Sequence, residues 1–325
     1  MRIGLMFDSY FDKFSKRDLK PTSVAKLLWK LRSTISKSWG KKSNLSRFLF
    51  MQSQIPDSPI LNYSNSSVEI LYVAKAEDIQ LLHYSVSKSI KNTINEIKCI
   101  TIIVPDSDQS RVKDSLGQIQ FQINVIPESL LVDSDVVELI KLKKPDRFGW
   151  ILQQVLVAQY ILNSNSKNIL VVDADTIILN PQVWVGDDGR QILLPTYELH
   201  PPYYDFFQLK STKYPVPQFS FVSHHMLIQT HIFKEVFGIW NGSVRKALIE
   251  ALDYAAVGEN SPFDLKYEIY AQYLIKNYPQ LIKFVKWANL SKSAADFPSI
   301  LGSEKRIVEL RKDYNSISFH HWNTA

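Results

Sequence analysis

The chain has 325 residues, 45% hydrophobic and 22% charged, as in an ordinary globular protein with a sizeable core in one large or two smaller domains. No apolar stretch approaches the roughly 20 residues needed to cross a bilayer, and Asp8 and Asp12 break the start MRIGLMFDSYFDK where a signal peptide needs an apolar core. Cys99 is the single cysteine, which excludes an internal disulfide and predicts a reducing, cytoplasmic setting.

The formal charge of +6 is unevenly spread. Residues 11–48 carry Lys13, Lys16, Arg17, Lys20, Lys26, Lys30, Arg32, Lys37, Lys41, Lys42 and Arg47 against two Asp. Val24, Leu27, Leu28, Leu31 and Ile35 recur there at helical spacing, after a start at Pro21 with Thr22 or Ser23 as cap. Two readings are open: a helix on an anionic membrane surface, giving a peripheral location, or a solvated helix packed on the main domain. No recognition motif for nucleic acid accompanies the charge. Residues 52–67, rich in Ser, Asn and Pro, read as a linker, so an extension of 1–66 precedes a main domain of 67–325.

That domain opens with a strand at Val68–Val73, then a loop and a helix carrying Ile79, Leu82, Val86 and Ile90. Ile97–Val104 is a second strand, Ser110–Leu116 a helix, and Phe121–Ile126 a third strand stopped by Pro127. This alternation predicts an α/β fold with a doubly wound, mostly parallel sheet and flanking helices. Cys99 is expected to be a buried small hydrophobe. Pro145–Trp150 reads as a loop, and a helix opening with Gly149-Trp150 and containing Gln153 and Gln154 runs to about Asn163.

The most informative stretch follows. Ile169-Leu170-Val171-Val172 is an uninterrupted apolar run, suited to a strand buried on both faces. It stops at Asp173-Ala174-Asp175, after which Ile177, Ile178 and Leu179 resume the pattern. In an extended chain both carboxylates point to one side, at the strand end where open α/β sheets bind ligands. Paired carboxylates need compensation, and Mg2+ or Mn2+ suits oxygen ligands. The competing reading is a turn with a helix cap.

A strand–helix series, a Gly-Trp-x-x-Gln-Gln helix and a hydrophobic strand ending in Asp-x-Asp-Thr resembles the nucleotide-sugar-dependent glycosyltransferases of the GT-A fold. It is similar in particular to a poorly characterised bacterial group of that superfamily. The resemblance implies a GT-A-like (Rossmann-like) domain that moves a sugar from a nucleoside-diphosphate sugar to a glycan or lipid-linked acceptor, with Mn2+ or Mg2+. It implies metal ligation by Asp175, with Asp173 assisting or holding the ribose. It also implies a histidine ligand near the C terminus, where His320 and His321 stand and His320 is preferred. Val73, Ala74 and Asp78, and the paired glutamines, are implied at the nucleotide. A helix cap is the more common role for an Asp placed as Asp78 is, and Arg147 reads equally as a phosphate contact or a solvated loop charge. Val157 stands where that group is expected to carry a basic residue.

Residues 195–204, with Tyr197, Glu198, His200 and Tyr203, combine aromatic faces and polar groups as a sugar cleft does, the alternative being a well-packed loop of the same composition. Ser220–Ile228 reads as a strand with His224 and His225 at its centre, either core residues or substrate contacts. A helix is predicted from Ser261-Pro262, with Asp264 and Glu268 one turn apart on one face. Resemblance places the acceptor base of an inverting enzyme there, Glu268 first and Asp264 second; an ordinary acidic pair at a helix start is the alternative.

Two rival functions remain. A haloacid-dehalogenase-type phosphatase would use Asp173 as nucleophile and Asp175 as acid, but its motif normally opens the domain. A non-catalytic nucleotide-sugar or glycan-binding domain would keep the fold without turnover.

Overall fold

The computed structural model describes residues 64–196, 200, 203, 206, 220–255 and 263–320. The basic stretch 11–48 and its helix lie outside the described residues, so neither reading of it is decided. The chain enters the domain at Ser64, whose hydroxyl donates to Asp187 Oδ1 at 2.9 Å.

Five strands form the central sheet: β1 (Val68–Val73), β2 (Ile97–Val104), β3 (Ile123–Pro127), β4 (Asn168–Val172) and β7 (His225–Gln229). Their spatial order is β3-β2-β1-β4-β7. The first four run parallel, and β7 pairs antiparallel with β4. The fold is therefore mixed α/β with a parallel-rich sheet and flanking helices, as the alternation predicts.

The apolar run of β4 explains its central place. Ile169 and Val171 enter one core with the helices α4 (Phe148–Asn163), α5 (Thr230–Phe237), α6 (Val244–Tyr254) and α7 (Tyr267–Asn277). Leu170 and Val172 enter the other, which is closed by α1 (Ile79–Asn92), α2 (Gln109–Leu116), Trp184 and Trp287. Alternate residues face opposite sides of a strand, so only a continuous apolar run can fill both. α3 (Ser134–Lys143) borders the first core.

A smaller sheet, β5 (Thr176–Ile178), β10 (Ser316–His320) and β9 (Asn289–Ser293), packs beside the first. A third pair joins β6 (Gln191–Leu193) to β8 (Ile282–Phe284). Two short helices, α8 (Phe297–Leu301) and α9 (Glu304–Leu310), precede β10.

Three expectations are corrected. The strand expected over 220–228 begins only at His225, because His224 adopts a left-handed φ of 62° that extended pairing does not allow. Asp264 precedes the helix rather than lying on it, so the argument from four-residue spacing does not apply. Cys99 is only half-buried and lies beside the Glu69 carboxylate, where burial first and then Glu69 push its thiol up.

Candidate active site

β4 ends at Val172, and Asp173-Ala174-Asp175 forms a tight turn into β5, closed by the Thr176 amide donating to the Asp173 carbonyl at 2.9 Å. The two carboxylates are thus not on one side of an extended strand. Each is instead tied to a different sheet. The Asp173 amide donates to the His224 carbonyl at 2.9 Å, next to β7, and the Phe319 amide of β10 donates to the Asp175 carbonyl at 2.9 Å.

Asp173 is densely partnered. Its Oδ1 accepts from Lys266 Nζ at 2.8 Å, from Tyr267 Oη at 3.0 Å and from Gln153 Nε2 at 3.3 Å. Its Oδ2 lies 3.3 Å from His224 Nδ1. Burial alone would raise this carboxyl, but the Lys266 ammonium and His224 outweigh it and hold it well below the usual carboxylate range. Burial and the Asp173 charge together push the Tyr267 hydroxyl well up, so it stays a donor.

Asp175 keeps simpler company. Its Oδ2 lies 3.1 Å from His320 Nδ1, and its Oδ1 accepts from Thr176 Oγ1 at 3.3 Å. Thr176 Oγ1 is in turn 2.8 Å from Ser318 Oγ. The His224 and His320 rings lie 4.8 Å apart and join the two halves of the turn into one cluster. Among the described residues, no group of three or more His, Cys, Asp or Glu is arranged to hold a metal ion. The Asp175–His320 pair nevertheless fits half of such a site. Donor atoms at right angles around an ion with bonds of about 2.1 Å lie about 3 Å apart, and Mg2+ commonly takes its other ligands from phosphate and water.

The remaining predicted residues divide clearly. Gln153 joins the cluster, whereas Gln154, the next residue round the helix, is buried and its Oε1 accepts from the Leu265 amide at 2.6 Å. Among the described residues its Nε2 has no hydrogen-bond partner. His225 points away from His224, fully buried between Trp184 and Trp287 at ring distances of 5.4 and 4.9 Å. Burial lowers its pKa to about 3, so it is a neutral core residue and not a substrate contact.

Glu268 is also buried; its carboxylate accepts from the Ser220 hydroxyl and, at 2.7 Å, from the Phe221 amide. Asp264 Oδ1 accepts from the amides of Lys266 and Tyr267 at 2.7 and 2.9 Å. Burial raises the Asp264 carboxyl against those amides. Both acids hold backbone in place, so the pair is neither an exposed helix-start pair nor aimed at open space.

Val73 ends β1 beside Ile103 of β2, and the amide of the next residue, Ala74, donates to the Ile103 carbonyl at 2.9 Å. Asp78 stands at the N-cap position of α1 without a side-chain cap bond to that helix; its Oδ2 instead accepts from the Lys75 amide at 3.3 Å. Arg147 sits in the short turn before α4, half-buried. His200 meets Tyr203 edge-on at 4.7 Å, and Tyr203 stacks on Trp150 at 6.0 Å, an aromatic wall of the kind a sugar cleft uses. Tyr197, Glu198 and His321 lie outside the described residues. Lys266 and Tyr267 are the site residues that sequence reasoning missed. They read as part of a helix face, and only the 93-residue and 94-residue spans to Asp173 give them a role.

No protein-family model matches the chain, and no curated protein sequence matches it. Among solved structures the chain is similar to the apo form of mouse xyloside xylosyltransferase 1, at 14% identity and a TM-score of 0.43. That likeness covers 80% of this chain and 99% of the mouse chain. At this level it says nothing about the residues of the site.

Proposed function

We propose that the chain is a metal-dependent glycosyltransferase of GT-A type, moving a sugar from a nucleoside-diphosphate sugar to a glycan or lipid-linked acceptor. The observation that carries the reading is the Asp173–Asp175 turn at the carboxyl end of a central parallel strand, with His320 set 3.1 Å from Asp175. Asp175 and His320 would hold Mn2+ or Mg2+, which when bound supplies neutralisation of the charge growing on the leaving diphosphate. Thr176 fixes the Asp175 carboxylate, and Trp150, Tyr203 and His200 offer ring faces to a sugar.

The Lys266–Asp173 contact favours a second reading, because a phosphatase with a nucleophilic aspartate needs a lysine nearby. Four donors already occupy the Asp173 oxygens, however, and leave little room for attack on phosphorus.

A melting-temperature screen of nucleoside diphosphates and nucleotide sugars with and without Mn2+ separates the readings, since a ligand of the folded state raises the transition. A rise that needs both nucleotide and Mn2+, and that vanishes in Asp175→Asn, supports the transferase. A response only to Mg2+ with a phosphate mimic supports the phosphatase. The lipid-linked acceptor, in bacterial surface polysaccharide synthesis, is proposed from the basic charge of residues 11–48 and from the group resembled. If the protein never floats with anionic vesicles, its membrane association is refuted.

A further inference from the structure

Lys266 stands at the threshold of α7 with its side chain 5% exposed. Its ammonium lies 2.8 Å from Asp173 Oδ1 and 4.3 Å from the centre of the Tyr267 ring. With Gln153, Tyr267 and His224 it supplies four donors to one carboxylate, which has about four acceptor positions. Asp175, two residues on, receives a hydroxyl and faces one imidazole. An amine side chain is therefore set against the first carboxylate of the turn and, among the described residues, none against the second.

We propose that Lys266 is a positioning residue that divides the two carboxylates: it is the fixed counter-ion of Asp173 and leaves Asp175 as the one carboxylate that ligates the metal. This inference rests on the metal-dependent reading above. Its consequence is a site of reduced charge. Divalent-cation affinity rises with the number of ligand charges, so a site offering one carboxylate binds the ion weakly alone and firmly only with the diphosphate. Lys266 in this account sets how far metal binding depends on the donor.

The test is manganese binding by the full-length protein, read as free Mn2+ by electron paramagnetic resonance, alone and with inorganic pyrophosphate. Lys266→Met leaves Asp173 as an uncompensated anion beside Asp175, and should tighten binding of Mn2+ alone by roughly threefold or more. A residue serving only to hold the fold would not increase metal affinity. The double variant Asp173→Asn/Lys266→Met removes both charges together, which a buried ion pair often tolerates. It should bind within about threefold of the wild type, whereas Asp175→Asn should lose about tenfold or more.

The inference is overturned if the double variant falls with Asp175→Asn, because Asp173 is then a ligand. It is also overturned if a folded Lys266→Met binds no more tightly than the wild type. If Lys266→Met does not fold, the double variant decides. Wild-type protein that takes up no Mn2+ even with pyrophosphate refutes the metal-dependent reading itself, an outcome distinct from a loss confined to the double variant.

Discussion

The buried His225 gives the domain a specific sensitivity to acid. Among the described residues neither ring nitrogen makes a well-formed hydrogen bond, only the Ser223 backbone acting on the ring from nearby, and the side chain is enclosed by Trp184 and Trp287. In the unfolded chain it takes up a proton near its ordinary value of 6.5, whereas in the fold it does so only at about 3. The folded state thus favours the neutral ring. That contribution is complete above 6.5 and is lost as pH falls from there towards 3. At pH 5 the unfolded state gains about 2 kcal/mol from this single proton, at about 1.4 kcal/mol per pH unit below its value. His225→Phe keeps an aromatic ring in the slot and removes the proton. Urea unfolding of both proteins at pH 7.5 and 5.0 measures the effect. The variant should gain about 2 kcal/mol on the wild type between the two conditions, whatever their difference at neutral pH. Parallel losses in the two proteins would refute the account of His225 as a neutral core residue.

Other buried polar groups make comparable predictions. Glu69 is buried and accepts from Thr101 Oγ1 at 2.7 Å, from Ser166 Oγ at 2.5 Å and from the Tyr160 hydroxyl. Glu69→Gln sets an amide donor against these donors and should cost about 1–3 kcal/mol in urea unfolding; an unchanged midpoint would show the hydroxyls to be paired elsewhere. Glu268→Gln should cost a similar amount by weakening its hold on Ser220 and Phe221. If it instead lost turnover at wild-type stability, Glu268 would be restored as the acceptor base. Asp173→Ala strands the buried Lys266 ammonium and should cost about 3–5 kcal/mol, a fall of about 6–20 °C in melting temperature for a domain of this size. A smaller fall would mean that water reaches Lys266.

Much of this was legible in sequence where one local pattern sufficed. The unbroken apolar run of β4 is readable because a strand filling two cores has no polar alternative. Asp173 and Asp175 stand out because they interrupt that run. Other features depend on contacts that no local pattern carries. His224 and His225 are adjacent and chemically identical, yet a left-handed residue sends one ring to Asp173 and the other between two tryptophans. Only the pairing of β4 with β7 decides which is which. Gln153 and Gln154 separate for the simpler reason that neighbours on a helix point about 100° apart. Lys266 carried no signal at all, since a lysine between two carboxylates in sequence reads as solvated until Asp173 is brought beneath it. Glu268 misled by its spacing: an acid near a helix start suggests catalysis or a cap, and here it anchors a distant loop.

The order in which the cluster is assembled has a consequence for biosynthesis. Asp175 and His320 are 145 residues apart, and the histidine arrives only with β10, which pairs with both β5 and β9. A nascent chain whose β1–β4 have already left the ribosome can close part of its central sheet while the turn still lacks its imidazole. The half-made protein would display both carboxylates without His320. The cluster is therefore completed only when residues 316–320 pair with β5 and β9 and bring His320 to Asp175.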